Sequence, residues 1–256
     1  MRLWAACQGR IFRLTRLLPI VIVAVVFGLM PSNGLTQTSS ADADLDSALR
    51  LLEEGRTTLD NKSLAAARDA WTRLTQQHPD NALYFYQLAR ANGYRVEAYA
   101  AHGDKRNAER SLDEAVGNIE QSLQLNEKSA DAHSLLADLY GRRISFGTGI
   151  FIGPKYGPKV QAENRRAIEL EPNNPRAFAS RGRQHLETPK MFGGDVDKAI
   201  ADFRRAVELD PKADETFVWL AMALPKKGDS GAADHAVQEA LRLNPRSVFA
   251  KQAAKR

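Results

Sequence analysis

One spacing limits what this chain can become: a small residue, a larger side chain four positions on, an apolar residue three later and a proline five beyond. It occurs at Ala67, Trp71, Leu74 and Pro79, at Ala199, Phe203, Ala206 and Pro211, and at Ala233, Val237, Ala240 and Pro245. Two weaker copies lie between: Val160, Asn164, Ala167 and Pro172 keep the proline, whereas Ala115, Ile119 and Ser122 end on Glu127. Steps of four and three put these side chains on one helical face. The small residue allows close approach of a second helix, the larger one fills the space to a neighbour, and the proline stops the helix. A first helix precedes each copy, most clearly where Phe217, Leu220, Ala221 and Leu224 lead into the turn Lys227-Gly228-Asp229. The unit is therefore a helical hairpin, and hairpins stacked side by side bury a core that no single one could.

The Leu-Ala pair of the first helix, the small and large apolar residues of the second and the closing proline resemble the tetratricopeptide repeat (TPR), a 34-residue unit. The resemblance covers residues 44–247, and it implies an all-α fold, a right-handed superhelical solenoid of about five hairpins. An aromatic content of 7% and a middle rich in Ala, Leu, Arg and Glu agree with helices rather than strands. Both ends of such a stack need polar covers. The basic tail, residues 248–256, is the expected C-terminal one.

The stops at 79, 127, 172, 211 and 245 mark units of 48, 45, 39 and 34 residues. Their end signals stay in register, so the extra residues belong at the turns within hairpins, on one edge of the stack, where insertions often carry binding. The first excess reads as a lengthened hairpin, with helices from Tyr84 to Ala101 and from Arg106 to Leu125. The second, Gly141 to Pro158, holds five glycines and two prolines and is expected to be a loop. Its Phe146, Ile150, Phe151, Ile152 and Tyr156 must fold back on the solenoid or meet a partner. The third contains Met191, Phe192 and a Gly193-Gly194-Asp195 entry, in which Asp195 should cap the helix from Val196.

Arg2, Arg10, Arg13 and Arg16 precede an apolar run from Leu17 to Met30, and no acidic residue comes before Asp42. This is the layout of a secretory signal over residues 1–34, with Ser32-Asn33-Gly34 a cleavage site and residues 35–43 a linker. The run falls short of the roughly 20 residues that span a bilayer, so cleavage is expected, with anchoring through residues 17–30 the alternative. Without the four arginines the net charge of +5 becomes about +1, which removes the case for nucleic acid. The one cysteine, Cys7, leaves with the signal, and no disulfide or thiolate site remains.

No catalytic pattern stands out. His78, His102, His133, His185 and His235 never pair at metal-ligand spacing, and Gly147, Gly149 and Gly153 miss the dinucleotide fingerprint by one residue. No cofactor or metal is expected, and the chain reads as a non-enzyme. In repeats of this type the first helices line the groove, which places Tyr86, Arg90, Asp131, Ser134, Arg176, Ala179, Arg183 and Met222 there. Arg90 and Arg183 hold equivalent positions suited to a carboxylate. The expected function is a secreted or periplasmic adaptor that binds a protein or peptide segment through Tyr86, Arg90, Arg176 and Arg183, together with Phe146, Ile150, Phe151, Tyr156, Met191 and Phe192. A membrane contact is expected only if the N-terminal segment is retained. The alternative is a carrier of small molecules or lipids that uses residues 144–157, as an accessory to transport. An enclosed pocket at those residues would favour the carrier, an open ridge the adaptor.

Overall fold

The computed structural model describes residues 34–147 and 151–255, and the described residues are all helical apart from their connections. Five antiparallel hairpins follow one another: α1 (Gly34–Thr58) with α2 (Asn61–Gln77), α3 (Ala82–Ala101) with α4 (Lys105–Leu125), α5 (Ala130–Phe146) with α6 (Ile152–Leu170), α7 (Pro175–Glu187) with α8 (Val196–Leu209), and α9 (Asp214–Ala223) with α10 (Ser230–Leu243). A short α11 (Val248–Ala253) lies against α9 and α10. The tail expected as a polar cover thus closes the stack as a helix, with Ala250 fully buried. Residues 1–33 of the expected signal segment lie outside the described residues, while Gly34 and residues 35–43, expected as a linker, form the first turns of α1. No described helix is long and apolar enough to cross a membrane.

The repeat register is the core. Its three positions are buried in all five copies, down to Trp71, Ile119 and Phe203 at 0% exposure. Where the weaker copies are polar, Ser122 Oγ donates to the Ala82 carbonyl at 2.8 Å and Asn164 Nδ2 to Gln184 Oε1 at 2.9 Å, while the buried Asn164 Oδ1 has no hydrogen-bond partner among the described residues. The prolines act through the residue before them, which cannot stay helical. His78, Glu171, Asp210 and Asn244 all leave their helices with φ between −132° and −139° and ψ between 71° and 89°. Asn126, without a proline after it, adopts the same exit at φ −146° and ψ 86°. Asp60, Asp104, Asp195 and Asp229 start second helices by accepting backbone N–H bonds, as expected for Asp195.

The second insertion corrects the loop expectation. Residues 141–146 complete α5 and residues 152–158 begin α6, so the connection reduces to residues 147–151, of which 148–150, including Ile150, lie outside the described residues. Pro154 falls in the first turn of α6, where no N–H partner is needed, and Pro158 is the one proline farther in. Packing outweighs its cost: Tyr156 packs on Tyr140 with ring centroids 5.5 Å apart and planes tilted by 38°, and Phe146 joins the same cluster. The extra residues of the second and third hairpins therefore lengthen helices, and α7–α8 alone keeps a long connection, with a 3-10 turn at Lys190–Phe192. Gly194 is needed there, since a Cβ on it would sit 1.7 Å from the Thr188 carbonyl oxygen.

The two ends of the stack touch. Arg56 of α1 donates to Asp214 at 2.9 Å and to Glu215 at 3.2 Å, both in α9. Asn244 Nδ2 donates to Thr57 Oγ1 at 3.2 Å and Asp214 Oδ2 at 2.9 Å, Arg246 pairs with Glu54, and Val248 and Phe249 pack on Leu59 and Leu64. One superhelical turn closes on itself around a central space.

A central chamber and an adjoining apolar pocket

The first helices present one face to the centre. A cavity of about 730 Å³ is lined by residues of α1, α3, α5, α7, α9 and α11, among them Tyr86, Arg90, Asp131, Ser134, Arg176, Ala179, Arg183 and Met222. All eight positions expected in the groove lie there. Repetition explains this: equivalent positions of successive first helices fall on the same face of the stack.

The chamber is a mesh of charge pairs. Arg183 Nε donates to Asp138 Oδ1 at 3.0 Å and its second nitrogen to Oδ2, while Ser180 Oγ holds Oδ1 at 2.7 Å. Arg176 pairs with Asp131, and Arg142 with Glu97 at 2.5 Å. Arg90 is different. Its guanidinium lies 5.9 Å from the centre of the Tyr86 ring and 6.0 Å from that of Tyr94, and donates to Gln87 Oε1 at 2.9 Å. Among the described residues no carboxylate comes within salt-bridge distance of it. The repeat makes Arg90 and Arg183 equivalent, but the structure gives a carboxylate to one and aromatic faces to the other. Burial pushes the Glu97 carboxyl and the Tyr86 hydroxyl upward, against the pull of the neighbouring arginines.

Beside the chamber, sharing Trp219, Met222, Val160 and Glu187 with it, lies a pocket of about 1120 Å³. Ile144, Leu186, Phe192 and Val237 make it mainly apolar. Phe146 and Tyr156 do not line it, since both pack into the core cluster around Tyr140. Phe151, Met191 and Phe192 project outward at 76%, 82% and 66% exposure. The apolar residues of the second insertion thus form neither a single enclosure nor a ridge: some fold inward and one points out.

Trp219, Asp138, Glu97 and Glu187 were not anticipated from the sequence. Asp138 could have been, because it sits four residues after Ser134 on the inward stripe of α5. Glu187 could not, because only the curvature of the stack brings it beside Arg142 and Arg183. Among the described residues no cluster of three potential ligands could hold a metal.

Comparison with known proteins agrees with this architecture. A thermophilic TPR protein of Thermus thermophilus is 18% identical with a TM-score of 0.63, covering 84% of this chain and 97% of that one. The HusA haemophore of Porphyromonas gingivalis is likewise 18% identical, with a TM-score of 0.56 and coverage of 80% and 92%. At these identities the likeness is one of fold. In sequence, the small glutamine-rich tetratricopeptide repeat-containing protein 2 of Mycosarcoma maydis is 31% identical over 97 residues, and the match spans 26% of that protein's length. A TPR profile matches residues 191–213. A family model described as regulator of microtubule dynamics protein 1-3 matches residues 46–192. With more than half of its length inside that match and the hairpin solenoid to go with it, this chain belongs to that family of TPR proteins.

Proposed function

We propose that this chain is a non-catalytic, extracytoplasmic adaptor that holds a segment of a partner protein in its central chamber. TPR proteins mediate protein–protein interaction. The observation that carries the reading here is that every first helix contributes to one continuous inner wall of tyrosines, arginines and carboxylates. Such a wall offers hydrogen-bonding and charge-assisted partners along an extended backbone. The arginine-rich start of the sequence and its apolar run support the location outside the cytoplasm.

A photo-crosslinking residue in place of Met222, which lines both cavities, tests this in the full chain, with the same substitution at the exposed Leu83 as control. A polypeptide crosslinked at 222 and absent at 83 is the expected result. Polymerised tubulin, suggested by the family's description, forms one arm of the experiment, and a cell-envelope extract forms the other. No polypeptide at 222 in either arm would overturn the adaptor reading.

The apolar pocket favours a second reading, a carrier for an apolar small molecule or lipid, because its volume is that of a ligand site of roughly 300–1,000 Å³ or slightly above. Native mass spectrometry of the purified chain separates the two: a retained small molecule that is lost in a Val237→Trp variant supports the carrier.

A further inference from the structure

We propose that the edge formed by the hairpin tips docks onto an anionic lipid bilayer. The three most exposed large apolar side chains among the described residues, Phe151, Met191 and Phe192, all lie on this edge. They belong to two different hairpins, yet both tips border one pocket, lined by Gly153 and Pro154 from one and by Pro189 and Phe192 from the other. Pro225 and Lys226, at the tip of the last hairpin, border it too.

Positive charge predominates on these tips, although the exposed Glu187 and Asp197 flank the second of them and Asp197 pairs with Lys227 at 3.0 Å. Residues 142–160 hold Arg142, Arg143, Lys155 and Lys159 and no acid, residues 188–194 add Lys190, and residues 224–228 add Lys226 and Lys227. Lys155, Lys159, Lys190, Lys226 and Lys227 are exposed. Asp195 and Asp229, which follow, are turned to backbone N–H groups as helix caps. Past residue 34 the chain is close to neutral, so this cationic edge is offset by acid elsewhere, in part by the carboxylates of the chamber.

Isolated apolar side chains ringed by lysines match a headgroup layer, where the apolar groups enter the acyl boundary and the ammonium groups meet lipid phosphates. A protein interface would be expected to favour arginine over lysine. On these three tips the exposed cations are all lysines, of which Lys227 is paired with Asp197, and the two arginines of residues 142–160 are half-buried and held by Glu97 and Asp113.

The experiment places an environment-sensitive fluorophore at Met191 of the full chain, as Met191→Cys in a Cys7→Ser background, with Leu83→Cys as control. Vesicles are phosphatidylcholine with or without phosphatidylglycerol. Because the apolar N-terminal run can tether the chain to any vesicle, the readout is the local one: a blue shift at 191, absent at 83, that requires phosphatidylglycerol. Replacing Lys155, Lys190 and Lys226 with glutamate should reduce partitioning on the order of five-fold per lysine, or more. A label at 191 that stays aqueous while the chain is vesicle-bound overturns the proposal. So does a shift indifferent to phosphatidylglycerol and to the lysines, or one produced by a protein partner without vesicles.

Discussion

Leu59 carries a conformation that its neighbours leave to glycine. Its φ is +50°, and the corresponding entries to other second helices use Gly103, Gly193 and Gly228 at +74°, +93° and +79°. A Cβ in this region costs about 1–2 kcal/mol. The side chain compensates by packing with Leu64, Ala98, Val248 and Phe249. Both Leu59→Ala and Leu59→Gly should therefore destabilise, but glycine less than alanine by about 1 kcal/mol, the reverse of their usual order. Urea denaturation of the two variants measures this, and alanine as the milder change would remove the strain argument. His133 offers a pH test. Burial opposes its charge, but Glu163 at 2.5 Å and the Glu127 carbonyl outweigh it and raise its pKa above the usual value. Its contribution should be complete below about pH 6.5 and disappear as pH rises through the raised folded value. His133→Ala should thus cost about 1 kcal/mol at pH 5.5 and less at pH 8.5, by denaturation at each pH. His185 has the opposite sign, since burial lowers its pKa, and its contribution is lost as pH falls.

Helix pairs were legible where the chain writes the same instruction twice. Four second helices start on an aspartate and four end before a proline, so start, stop and buried face were fixed by separate residues that agree. At α6 the instructions conflict: Phe151 gives no side-chain cap and Pro158 sits inside the helix. Local propensity reads this as a loop, but Tyr156 and Val160, packed in one cluster with Tyr140 and Ile144 of α5, decide for helix. The groove was legible because it repeats, whereas the pairing of each arginine was not, because it depends on how far one hairpin rotates from the next. The closeness of that packing can be tested at Gly182 in α7, where a Cβ would stand 2.7 Å from the Phe203 ring. Gly182→Ala should destabilise by about 1–3 kcal/mol, although alanine favours the helix itself. Thermal unfolding would show it, and an unchanged or raised Tm would mean that α7 and α8 can separate without loss.

An open solenoid is a chain of neighbours, and its ends fray independently of one another. Closure changes this, because the first and last hairpins become neighbours although their residues are far apart in sequence. Arg56 is the centre of that contact, since among the described residues it alone pairs with Glu53, Asp214 and Glu215, and both it and Asp214 are largely shielded from water at 13% and 9% side-chain exposure. Removing the cation leaves Asp214 with Asn244 and Glu215 with Tyr94 as hydrogen-bond donors, in a site where an uncompensated carboxylate is costly. Arg56→Met should therefore lower global stability by about 3 kcal/mol. The distinguishing result is its distribution in native-state hydrogen exchange. Closure predicts that protection falls together in α1–α2 and in α9–α11, while α5 and α6, at the middle of the stack, keep theirs. Loss confined to α1 would mean that the two ends meet without supporting each other. The chamber would then be the inside of an open curve, able to widen for a partner without breaking a seam.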